Sequence, residues 1–212
     1  SFMIIYGGDG LRINNIRFYN STPATSSTAI YFNDDTPTTD DCRVTNSEVQ
    51  DIVINGFARG ISLNAPSGYN VFKNVSIGNF SDVVENYGII IGENFKNTYE
   101  GENVVLPNYI YIDGCKIDAL GKEKNTYGIS INVGYFIFVY NNDICNIKSG
   151  SAIKVMNINN VSKVVNHLNV SNNALYNNKF GIQLLSANEN KTVGYINISN
   201  NFFDDFIGAS SD

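Results

Sequence analysis

The strongest constraint in this chain is a phrase that returns. An alternating apolar run closing on Asn or Gly recurs as "IRFYN", "CRVTN", "VFKN", "YIYIDG", "FIFVYN", "LNVSN" and "YINISN", with its last residue at Asn20, Asn46, Asn74, Gly114, Asn141, Asn172 and Asn200. Successive markers lie 26, 28, 40, 27, 31 and 28 residues apart. A period of roughly 20–50 residues is the mark of a stacked repeat. The one long interval holds "GENFKNTYEGENVVLP", residues 92–107, which reads as a loop inserted into a single unit.

Apolar columns run through the units. Val49, Ile77, Ile117, Ile144, Leu175 and Phe203 stand three residues beyond the last six markers, and a second alternation follows in "AIYFN", "GISLN", "GIIIG", "GISIN", "AIKV" and "GIQL". The second set aligns Ile30, Ile61, Ile89, Ile129, Ile153 and Ile182 in one column and Phe32, Leu63, Ile91, Ile131, Val155 and Leu184 in another. Short β-branched runs of period two are strands with one buried face. A unit near 28 residues cannot bury that face alone; stacked on its neighbours, it forms one long core with strands about 4.8 Å apart.

Asparagine makes up about a sixth of the chain, more than helix interiors tolerate. In a solenoid it has two uses: Asn and Gly accept left-handed backbone angles where a coil bends, and stacked amides at an inward bend hydrogen-bond one another. A leucine-rich repeat also fixes an Asn in a similar period, but its leucine pattern and helical segments are missing here.

The fold class is therefore all-β, a solenoid of about seven coils, with residues 1–212 forming a single domain. The phrase "Φ-x-Φ-x-N-N-x-Φ … G-I-x-Φ", clearest at residues 137–155 and 168–184, resembles the right-handed parallel β-helix of the pectin-lyase-like superfamily. That resemblance covers roughly residues 11–208 and implies action on long acidic or neutral glycans, as in pectate lyases, polygalacturonases, alginate epimerases and phage tailspikes. The pectinase signatures do not carry over. The one histidine, His167, lies in "VVNHLNV" and not in the polygalacturonase Gly-His-Gly, and the Arg-x-Pro-x-x-Arg stretch of pectate lyases is absent.

A net charge of −6 with scattered Lys and Arg lacks the basic footprint of a nucleic-acid or anionic-membrane binder. No apolar run nears the roughly 20 residues of a membrane span. Cys42, Cys115 and Cys145 are odd in number and far apart, which reads as buried free thiols and not as a disulfide framework. His167 has no second ligand type at metal spacing, so neither a metal nor another cofactor is expected. The opening Ser-Phe-Met and the abrupt end inside the seventh coil read as a piece of a longer chain.

The outward positions between the buried ones give the candidate site. One outward column reads Arg17, Arg43, Val71, Tyr111, Phe138, Asn169, Asn197, and the next Tyr19, Thr45, Lys73, Asp113, Tyr140, Ser171, Ser199. Tyr111, Phe138 and Tyr140, with Lys73 below, form an aromatic and polar cluster suited to the apolar face and the hydroxyls of a sugar. Asp113, Asp118 and Asp143 on neighbouring coils are the candidate catalytic carboxylates for glycoside hydrolysis. Solvated surface acids and strand aromatics are equally at home at these positions. The Asp34-Asp35, Asp40-Asp41 and Asp204-Asp205 doublets fall in turn-like sequence.

Three functions fit. The first is a phage tailspike or tail-fibre segment, on the virion tail or otherwise extracellular, which binds bacterial surface polysaccharide and, if the carboxylates act, depolymerises it. Such spikes usually form homotrimers, for which the outward apolar Ile90, Phe138 and Phe202 are available. The second is a secreted bacterial polysaccharide lyase, hydrolase or epimerase. The third is an adhesive solenoid without catalysis.

Overall fold

The computed structural model describes residues 1–22, 27–33, 44–64, 67–81, 85–92, 106–120, 124–157, 165–186 and 194–204. Cys42, Arg43, both N-terminal Asp doublets, Asp205 and most of the 92–107 insertion lie outside these residues. Strands between Met3 and Asp204 stack into three parallel sheets, a parallel β-helix of seven coils. One coil shows the plan: Asn108–Asp113 lies in sheet I, Lys116–Asp118 in sheet II and Asn125–Ile131 in sheet III, after which Gly134–Tyr140 returns to sheet I.

Both isoleucine-rich columns of the second alternation are files in sheet III. Ile30, Ile61, Ile89, Ile129, Ile153 and Ile182 pair one above another, as do Phe32, Leu63, Ile91, Ile131, Val155 and Leu184. The first file is wholly buried as far as Ile153, whereas Leu184 in the last coil is exposed. Sheet II supplies the facing file Phe18, Ile54, Ile77, Ile117, Ile144, Leu175 and Phe203. The Gly of "GI" has a steric reason. A Cβ on Gly128 would stand 2.5 Å from the Ala152 carbonyl oxygen of the next coil and 2.6 Å from Ile144 Cγ2.

The first two repeat units sit differently from the sequence alignment. Arg17–Tyr19 belongs to sheet II, so Phe18, not Val49, is level with Ile54; Val49 lies in sheet I between Ile13 and Phe72. The residues level with Asn74 at the corner between sheets I and II are Asn15 and Asp51, and that file continues through Gly114, Asn141, Asn172 and Asn200. All seven have positive φ, between 51° and 63°. Left-handed Asn also occurs at the next corner, in Asn79, Asn146 and Asn177. A strand ending in Asn therefore marks more than one turn of the coil, and the phrase alone does not say which.

The paired asparagines divide their work. Asn141 takes the left-handed turn and points outward, while Asn142 turns inward and is 1% exposed. Asn142 Oδ1 accepts from the Cys115 N–H, and its amide donates to Ile112 O and to Asn173 Oδ1 one coil up. Asn173 repeats the arrangement with Val139 O and Asn201 Oδ1. Below Asn142 the file continues as Cys115 and Val75. The Cys115 thiol, in contact with Phe72 O and Asp113 O, is pushed up to about 12, mainly by burial.

Candidate functional site

Sheet I carries the outward residues of interest. Its outward file runs Arg12, Glu48, Val71, Tyr111, Phe138, Asn169, Asn197, so Arg12 and Glu48, which form an ion pair, replace the expected Arg17 and Arg43. The next file is Asn14, Gln50, Lys73, Asp113, Tyr140, Ser171, Ser199, with Lys73, Asp113 and Tyr140 in three successive coils. Tyr111 and Phe138 stack at 4.9 Å and 7°. Each ring therefore covers one face of the other. The Tyr140 phenol is raised by burial, then by the Asp113 carboxylate and Tyr111.

A second aromatic file, unread in the sequence, runs beside the first. Tyr69, Tyr109, Phe136, His167 and Tyr195 occupy the same place in five successive coils, one residue beyond the sheet I pairs Gly68–Asn108–Tyr135 and Asn166–Gly194. Their rings stack continuously, at 4.6, 4.8, 4.5 and 4.9 Å. All five residues have positive φ, from 41° to 57°. In the two preceding coils the same backbone place holds Gly10 and Asn46, also at positive φ. Those are the residues that the left-handed region suits.

The bulky occupants are thus not demanded by the turn. A left-handed non-Gly residue costs about 1–2 kcal/mol, and a stacked aromatic pair returns about 0.5–1.5 kcal/mol beyond its burial. Five such positions against four contacts give no clear stability advantage over Gly or Asn. Bulky left-handed residues collected in one place are a mark of functional surfaces.

Between the two files lies a cleft of about 360 Å³, lined by Phe136, His167 and Tyr195 on one side and by Phe138, Asn169 and Asn197 on the other. It opens where the first file changes from aromatic to amide. Tyr111 covers one face of Phe138, and above the other face the file continues with the shorter Asn169. Asn169 Oδ1 is withdrawn from water and has no hydrogen-bond partner among the described residues.

Of the three carboxylates, two share a face. Asp118 and Asp143 both point from sheet II on adjacent strands, offset by two residues, since Asp118 is level with Cys145. Strand spacing and rise put their Cα atoms about 8 Å apart. Asp113 ends its strand in sheet I, on the other side of the Gly114 corner. Asp113 accepts a hydrogen bond from Asn141 Nδ2 at 3.0 Å, and Asp118 accepts from Asn146 Nδ2 at 2.8 Å and the Leu120 N–H at 3.0 Å. Asp118 also lines a polar cleft of about 210 Å³ with Lys116, Ser76 and Asn79. Asp143 Oδ1 is buried without a partner among the described residues, and the Tyr176 phenol beside it is pushed up by its hydrogen bond with Cys145, then by burial and Asp143.

Two of the apolar positions read as intersubunit contacts are not openly exposed. Ile90 is 1% exposed, because the outward file of sheet III is covered at Ser62, Ile90, Ser130 and Lys154, and Phe138 is half-buried at the cleft; Phe202 is exposed. The second file could have been found by starting each unit earlier: "GYNVFKN", "NYIYIDG", "YFIFVYN", "NHLNVSN" and "GYINISN" all carry an aromatic or His second. No family model, curated protein or solved structure matches this chain.

Proposed function

We propose that the chain is a polysaccharide-binding β-helix of the phage tailspike kind, which holds a bacterial surface glycan along sheet I with the cleft over Phe138 as its central subsite. The observation that carries this reading is the ladder from Tyr69 to Tyr195, held in left-handed backbone beside an open apolar cleft. The one uncovered face of Phe138 suits the C–H face of a pyranose, and the amides of Asn169 and Asn197 suit its hydroxyls. In the same reading the full-length protein is an extracellular or virion-tail homotrimer.

The test is direct binding to a panel of capsular and O-antigen polysaccharides, for wild type, Phe138→Ala and Tyr140→Ala, with circular dichroism to check folding. Loss of binding in folded Phe138→Ala supports the reading, and a wild type that binds no glycan refutes it.

Cleavage is a second reading, favoured by the Asp118–Asp143 placement: inverting hydrolysis needs carboxyl groups about 6.5–9.5 Å apart, a separation that side chains on Cα atoms about 8 Å apart can reach. Asp143→Asn should then abolish the release of reducing ends while binding persists. New reducing ends at the wild-type rate from Asp143→Asn would remove that pair from consideration.

A further inference from the structure

If sheet I holds a polysaccharide, the lining of the cleft also selects its charge. Resting on that polysaccharide reading, we propose that the cleft over Phe138 takes an uncharged sugar residue, so that the bound glycan is neutral and not polyanionic. The described lining contains no Asp, Glu, Lys or Arg; its polar groups are His167, Asn169 and Asn197. A uronate whose carboxylate faced these rings would find no countercharge among the described lining residues, and a charge turned from water toward an apolar wall is disfavoured.

The orphaned acceptor points the same way. Asn169 Oδ1 finds no donor among the described residues. Turned into the cleft by a side-chain rotation, this oxygen would take a donor from a sugar hydroxyl, whereas a carboxylate would bring it only a further acceptor. No cation of sheet I is near enough to compensate. Among its described residues Arg12 is engaged by Glu48, and Lys73, two coils below Phe138, is level with Asp113. The net charge of −6 adds long-range repulsion against a polyanion.

The experiment measures binding of two probe sets by titration calorimetry: dextran, glucomannan and chitohexaose as uncharged glycans, polygalacturonate, alginate and hyaluronan as polyanions. Wild type should bind at least one uncharged probe, with an affinity that changes less than about twofold between about 0.02 and 0.5 M NaCl, because no charge pair is there to be screened. Phe138→Ala, and the nearly isosteric Asn169→Asp that adds a second acceptor and a charge, should each weaken that binding at least about tenfold while melting like wild type. Binding confined to polyanions and weakening with salt would overturn the neutral class and leave the polysaccharide reading standing. Uncharged binding unaffected in both folded variants would overturn the placement in this cleft, and no binding in either set would overturn both proposals.

Discussion

Replacing Asn142 by Ala tests whether the inward amide ladder holds the coils together. The substitution orphans one buried donor, the Cys115 N–H, now 2.9 Å from Asn142 Oδ1, and takes from the Ile112 carbonyl, which keeps its sheet partner, the amide donor now at 3.0 Å. The Asn142 N–H keeps its bond to Asn173 Oδ1. An orphaned buried donor costs about 1–3 kcal/mol and a lost hydrogen bond about 0.5–1.5 kcal/mol, so the loss should be about 3 kcal/mol. Asn141→Gly is the matched control one residue away. It removes an outward amide bonded to Asp113 in an exposed setting, and Gly114 already occupies that file at positive φ. Its cost should stay under about 1 kcal/mol. Urea unfolding followed by far-UV circular dichroism measures both, but a solenoid can open in segments. Hydrogen exchange at the Cys115 amide therefore supplies the local reading, and about 3 kcal/mol corresponds to roughly a hundredfold faster exchange. An Asn142→Ala cost below about 1 kcal/mol, or equal costs for the two variants, would refute the ladder.

Gly128→Ala should destabilise by about 1–3 kcal/mol, because the added Cβ meets the Ala152 carbonyl and Ile144; a chemical-denaturation midpoint equal to wild type would contradict the close approach. Cys115 keeps its proton to about 12 when folded, while the unfolded thiol loses it near about 8.5. Its contribution is therefore complete below about 8.5 and is lost as the pH rises toward 12. The fall in stability between about pH 9 and 11 should be shallower in Cys115→Ala than in wild type, and equal slopes would show that this thiol is not buried as described. Tyr109→Asn should leave stability within about 1 kcal/mol of wild type, since relief of left-handed strain offsets the two lost ring contacts; a loss above about 3 kcal/mol would make the ladder a structural element instead of a functional one.

The sheet III core was legible because its signal is redundant. Each coil contributes Ile or another large apolar residue at two positions of fixed separation, and a one-residue slip would turn both outward. The marker Asn lacked that redundancy. Asn15, Asn20 and Asn46 all stand where the chain turns, but at three different corners of the first coils. What separates them is which carbonyl of the neighbouring coil each backbone N–H finds, a tertiary fact with no local sequence trace. The first two units were accordingly placed by the wrong corner, while Lys73, Asp113 and Tyr140 were placed in one file correctly because their units carry intact core columns.

The ladder escaped for a physical reason that also gives it meaning. Local propensity assigns left-handed corners to Gly, Asn and Asp, and in this protein Gly10 and Asn46 obey that rule. From Tyr69 onward the corner is unchanged and the side chain is not. Propensity and observed conformation therefore disagree in four of five successive coils at one outward position, at Tyr69, Tyr109, Phe136 and Tyr195, and a disagreement repeated in register is not an accident of one turn. Stacking at 4.5–4.9 Å explains how the rings are tolerated once present. It does not explain why the first two coils manage without them. The rings begin two coils below Phe138 and pass beside the cleft over it, so the strained positions accompany the proposed binding face and are not a requirement of the coil, whose first two turns do without them.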